Sequence, residues 1–86
     1  MNIHVTNLSS NIMDDDLGKL FSAYGEVSFI AVVRDKNNGR SKGNAFVEMP
    51  VQAQAEQAIL ALHHMEIDGL KISVHEVEYK AGEFNN

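Results

Sequence analysis

The sequence predicts an α+β domain, a four-stranded antiparallel sheet carrying two helices on one face. Three observations predict it. Segments at Lys42–Met49 and Lys71–Val77 alternate apolar and polar residues, the period-two pattern of half-buried strands. Leu17, Leu20, Phe21 and Tyr24, and later Ala55, Ala58, Ile59 and Leu62, recur at spacings of three and four, the pattern of helices with one apolar face. The order of these elements is β-α-β-β-α-β, two interleaved βαβ units whose helices lie together and leave the opposite sheet face open.

Each element follows from local chemistry. Ile3, Val5 and Leu8, with His4 and Thr6 between them, read as a first strand, and Asn7–Asn11 as the loop that ends it. Asp14, Asp15 and Asp16 belong in the first turn of the first helix, where unpaired amide hydrogens and the helix dipole favour negative charge. Asp14 is expected to cap that helix in place of Met13, and Gly25 to close it in a left-handed conformation. Val27–Val33, rich in β-branched residues, is the second strand. The polar run Asp35–Ser41, with its Asn38-Gly39 step, is the reversal after it. In the third strand Ala45, Val47 and Met49 share one face and Asn44, Phe46 and Glu48 the other, and Pro50 stops the ladder. His63 and His64 end the second helix with their rings expected to point apart. Asp68-Gly69 turns the chain into the fourth strand, whose Ile72, Val74 and Val77 are expected to face inward. Residues 1–78 are thus expected to form one domain, and 79–86, which lack any period, a frayed tail.

Composition narrows the function classes. The 86 residues suffice for one core, and 44% of them are hydrophobic. No cysteine is present, which excludes a disulfide framework and a thiolate metal site. No apolar run approaches the ~20 residues of a membrane span. The opening residues Met1-Asn2-Ile3-His4-Val5 lack the pattern of an export signal, so no membrane association and a cytoplasmic location are expected. Twelve acidic against seven basic residues give a formal net charge of −5, the wrong overall sign for holding phosphates by a general field. Four of the seven bases, Arg34, Lys36, Arg40 and Lys42, nevertheless fall within one short stretch, a local basic patch on a small acidic protein. The three consecutive aspartates point in different directions on a helix and cannot converge on a metal ion. Neither a closed histidine metal site, nor a phosphate-binding glycine loop, nor a serine nucleophile elbow is present, so an enzyme is not expected and no cofactor is implied.

At its first and third strands the chain resembles the RNA-recognition-motif family. The family's hexamer looks like Ile3-His4-Val5-Thr6-Asn7-Leu8, and its octamer like Lys42-Gly43-Asn44-Ala45-Phe46-Val47-Glu48-Met49. Leu17, Leu20-Phe21, Tyr24-Gly25-Glu26-Val27 and Ala58-Ile59-x-x-Leu62 also stand as the family has them, so the likeness spans Ile3 to Val77. More narrowly, the chain resembles the small single-domain members found in bacteria. The resemblance implies a ferredoxin-like β-α-β-β-α-β sandwich that binds single-stranded RNA on its open sheet face.

The family's base-stacking rings would fall at His4, Asn44 and Phe46, of which one is a full aromatic, so low sequence specificity and weakened affinity are expected. Phe46 is the central stack and His4 a second contact. Lys42, with Arg40 and Arg34 behind it, is the phosphate contact. Thr6 and Asn7 from the first strand and Lys71, Ser73 and His75 from the fourth complete the candidate RNA-binding set, beside which Glu48 would repel a phosphate. Single-stranded DNA is an alternative ligand. The alternative function is a protein–protein interaction module that keeps the fold and has lost part of the RNA site, with Ala31 and Val33 extending an apolar surface beside Phe46.

Overall fold

Along the chain run β1 (Asn2–Thr6), α1 (Asp14–Ser22), β2 (Phe29–Arg34), β3 (Ser41–Glu48), α2 (Gln52–Leu62), the short β4 (Glu66–Ile67) and β5 (Leu70–Lys71), and β6 (Ser73–Val77). The computed structural model describes residues 1–78, and the tail expected at 79–86 lies outside them. β1 is central, paired antiparallel with β3 and with β6. β3 in turn pairs with β2, so the sheet order is β2-β3-β1-β6. This is the ferredoxin-like α+β sandwich, with both helices on one face.

The core follows from strand alternation. Ile3 and Val5 from β1, Val32 from β2, Ala45 and Val47 from β3 and Val74 from β6 are buried, and their odd-numbered or even-numbered neighbours lie on the other face. Leu17 and Phe21 of α1 and Ala55, Ala58 and Leu62 of α2 complete the buried cluster with Leu8, Ile12, Met49 and Ile72. The alanines of α2 let the helix backbone lie close to the sheet. No polar or charged residue is buried among the described residues.

Several details depart from expectation. Met13, not Asp14, is the N-cap of α1. Its amide donates to Asp16 Oδ2 at 2.8 Å, the return half of a capping box. Asp14 instead reaches across to the sheet edge, where its Oδ1 accepts the Val32 amide at 3.0 Å. α1 ends at Ser22 with Ala23 as a right-handed C-cap, and Gly25 adopts φ +156°, not the left-handed helical value. Its role is close approach: a Cβ there would lie 2.6 Å from Gln54 Cβ, while Gln54 Oε1 accepts the Glu26 amide at 2.9 Å.

The expected single fourth strand is broken at Ile72. Its amide donates to the Met65 carbonyl and its carbonyl accepts from His64, ties that pull it out of the ladder. β4 and β5 form a separate hairpin turned at Asp68 and Gly69, both with positive φ as a two-residue primed turn requires. Val77 is opposite Asn2 in register and therefore lies on the open face, not the inner one: the inward parity set by Val74 falls next on Glu76.

Candidate nucleic-acid interface

The open face is a set of cross-strand rows fixed by register. One row runs Ala31–Phe46–His4–His75 across β2, β3, β1 and β6. On one side of it lies Phe29–Glu48–Asn2–Val77, and on the other Asn44–Thr6–Ser73. His4 and Phe46, directly opposite one another, have ring centroids 4.6 Å apart and planes within 14°, a stacked pair at the middle of the sheet. Asn44 Oδ1 accepts from His4 Nε2 at 3.2 Å, which sets Nε2 as the protonated nitrogen and holds the imidazole flat against the phenyl ring. The Asn44 amide nitrogen and His4 Nδ1 keep their hydrogen-bonding capacity for a ligand.

The face has electrostatic polarity along the strands. Lys36, Arg40 and Lys42 are exposed at the end of β2 and start of β3, beyond the Asn44 row. Glu48 stands at the opposite end, where its Oε1 accepts from Ser28 Oγ at 2.7 Å. A chain of phosphates is thereby attracted at one end and repelled at the other, while the central rings offer neutral stacking surface.

The structure brings six of the sequence-derived residues together on this face: His4, Thr6, Asn44, Phe46, Ser73 and His75. Five are placed elsewhere. Arg34, past the register shift in β2–β3, reaches toward the start of α1, where its guanidinium donates to the Gly39 carbonyl and to Met13 Sδ, each at 3.2 Å. Arg40 lies in the β2–β3 connection. Lys42 lies in a bulge: the register shifts between Val32 and Arg34, and Gly43 has φ +82°, so alternation does not carry from Asn44 to Lys42. Asn7, at φ +60° past the end of β1, donates through Nδ2 to the Lys71 carbonyl at 2.8 Å, and Lys71 itself belongs to the separate hairpin. That bond fastens the hairpin to the end of β1, a structural task.

Two features went unread in the sequence. Phe29 is 52% exposed on the open face, opposite Glu48. Counting alternation back from Val32 through Ile30 would have placed it there. The second is a histidine cluster at the β6 edge. His64 adopts φ +71°, which folds its ring back to a centroid distance of 3.8 Å from His63 instead of pointing apart, and His75 meets His63 edge-on at 4.9 Å. His63 Nδ1 accepts the Val74 amide at 3.0 Å, satisfying an outward-facing strand donor. Partial burial, followed by the charges of His64 and His75, holds the His63 imidazole below its ordinary value. No pattern in the sequence announces a positive φ at a histidine. Elsewhere, hydrogen bonds from Ser9 and Asn11 hold the Asp68 carboxyl below the usual range and pin the hairpin turn to the β1–α1 loop. Among the described residues no group of three or more histidine, aspartate or glutamate side chains is placed to hold a metal ion, and no helix is long and apolar enough to cross a membrane.

A family model described as RNA recognition motif matches residues 3–73. Glycine-rich RNA-binding protein 1 of Mycosarcoma maydis is 44% identical over 72 residues, 84% of this chain and 41% of that protein. RbpE of Nostoc sp. (strain PCC 7120 / SAG 25.82 / UTEX 2576) is 42% identical over 74 residues, 86% of this chain and 75% of that protein. Among solved structures, that of RNA Binding Protein PG1 superposes with a TM-score of 0.89 at 39% identity, covering 93% of this chain and 96% of that one. A Sex-lethal protein/RNA complex superposes with a TM-score of 0.81 at 38% identity, covering 86% of this chain and 46% of that one. The chain thus spans less than half the length of several relatives it matches.

Proposed function

The chain belongs to the RNA recognition motif family, and from that premise we propose that it binds single-stranded RNA on the open sheet face. The observation that carries the reading is the stacked His4–Phe46 pair at the centre of that face, with cations at one end of the strands. An unpaired base lies against the Phe46–His4 surface, which accepts any base because every base has a π-face. Asn44 Nδ2 and His4 Nδ1 offer one donor and one acceptor to its edge. Arg40 and Lys42 meet the phosphates. Affinity is modest, since Asn44 stands where a third ring would stack, a loss of about 1–3 kcal/mol, and the −5 charge opposes the backbone. One superposed structure is of an RNA-binding protein and the other of a protein/RNA complex, which supports the same ligand here.

The finer placement we favour is among the small single-domain members of the family found in bacteria, supported by the Nostoc relative, of which this chain covers 75%. Single-stranded DNA is a competing ligand, because stacking does not read the 2′-hydroxyl. A protein-interaction role is the second reading, favoured by the exposed Phe29 beside Ala31. Fluorescence anisotropy with labelled mixed-sequence RNA and DNA oligomers at fixed salt separates the three. The proposal expects saturable RNA binding that Phe46→Ala weakens at least fivefold. No RNA binding by the wild type would leave the protein-interaction role.

A further inference from the structure

Phe29 and Glu48 lie opposite one another in the β2–β3 ladder, one row away from the central stack. The Phe29 ring is 52% exposed on the open face. Relative to Phe46 it occupies the diagonal position across adjacent strands, about 7–8 Å away by sheet geometry. One splayed nucleotide step spans that separation, so a base next to the one on Phe46 reaches Phe29.

Glu48 gives this second position its chemistry. A carboxylate is acceptor-only. Ser28 Oγ donates to its Oε1 at 2.7 Å and orients the group, and Oε2 keeps its lone pairs for a donor brought by a ligand. A phosphate is repelled here and belongs at the Arg40–Lys42 end. A base edge is a different matter. Cytosine, adenine and guanine each carry an exocyclic amino group that donates to a carboxylate, whereas uracil presents a carbonyl oxygen at the place where cytosine has its amino group. The same residue that weakens backbone contact therefore discriminates between bases.

We propose that Phe29 and Glu48 form a second base subsite that selects a base bearing an exocyclic amino group, cytosine over uracil in the simplest comparison. The subsite rests on the open face being the RNA platform, and it makes the preference of that platform local to one nucleotide.

The test is a comparison of an oligouridylate with the same oligomer carrying single cytidines at successive positions, titrated at fixed salt and pH against wild type, Phe29→Ala, Glu48→Gln and Phe46→Ala. Circular dichroism checks that each variant is folded. The expected result is about a tenfold preference of the wild type for a cytidine at one position, within the discrimination that one good base-edge contact gives. Phe29→Ala lowers affinity for both oligomers about tenfold. Glu48→Gln, whose amide both donates and accepts, abolishes the cytidine preference. If Phe46→Ala weakens binding while Phe29→Ala and Glu48→Gln leave affinity and preference unchanged, the subsite is wrong and the RNA platform stands. If the wild type binds neither oligomer, or Phe46→Ala has no effect, the platform itself is overturned and the subsite with it.

Discussion

Replacing Phe46 by alanine and, separately, Val47 by alanine removes adjacent side chains from opposite faces of β3. Val47 is 1% exposed against the helices. Losing its two methyl groups costs about 1.6 kcal/mol in transfer, at about 0.8 kcal/mol per carbon. The cavity left in a core that relaxes only partly raises this to about 2–3 kcal/mol. Phe46 is half-buried and stacked on His4 at 4.6 Å. Loss of such a ring pair costs about 0.5–1.5 kcal/mol, since the outer ring surface already faces water. With a urea dependence of about 1 kcal/mol/M for a domain of this size, the Val47 variant unfolds at a midpoint about 2–3 M lower, and the Phe46 variant about 1 M lower. RNA affinity runs the other way. Phe46→Ala removes a base stack of about 1–3 kcal/mol, a loss of about 5- to 150-fold, while Val47→Ala leaves the folded fraction binding as wild type. Paired urea melts and RNA titrations read both quantities. A Phe46 variant that is the less stable of the two and binds RNA unimpaired would refute the reasoning.

Asn44→Phe adds a ring at the edge of the central stack, and despite losing the Asn44–His4 hydrogen bond it is expected to tighten RNA binding by about 1–3 kcal/mol in anisotropy titrations at fixed salt. His63, held below its ordinary value of 6.5, takes up its proton more readily unfolded than folded, so its contribution to stability is whole above pH 6.5 and lost as pH falls through the lower folded value. Urea midpoints are expected to drop between pH 7.5 and pH 5, and His63→Asn, whose amide oxygen can accept the Val74 amide without titrating, is expected to flatten that dependence. Asp68 loses its contribution only as pH falls below 3.8, outside this window. Gly25→Ala drives a Cβ into Gln54 and is expected to cost about 1–3 kcal/mol in urea melts.

The central strands were legible because one-residue slippage would bury Asn44 and Glu48. Ala45 and Val47 therefore lie inside, and Asn44, Phe46 and Glu48 outside, as the alternation required. The stacked ring pair and its row followed once β1 and β3 were neighbours. What escaped were places where local bonding overrides pattern. Met13 took the N-cap position expected of Asp14, because Asp16 three residues on supplies the carboxylate that accepts the N-cap amide. Arg34 was grouped with the loop by charge, and it does bond the Gly39 carbonyl there, but its guanidinium also turns to Met13 at the start of α1. The bulge at Gly43, whose φ of +82° interrupts the alternation of β3, was not visible in the pattern either. Lys71 was misread because the last strand was taken as continuous through Ile72, and Val77 because parity was not counted on from Val74. Phe29 was missed because alternation in the second strand was followed from Ala31 on to Val33 and not back to Phe29.

The claim that the open face is the nucleic-acid interface is tested most directly by mapping backbone amide shifts while single-stranded RNA is titrated into labelled protein. The account predicts the largest shifts at His4, Asn44, Phe46 and Phe29, with smaller ones along Ser73–Val77 and in the Arg40–Lys42 bend, and little change in α1 and α2. Saturating shifts centred on the helices, or none on β1 and β3, would contradict it.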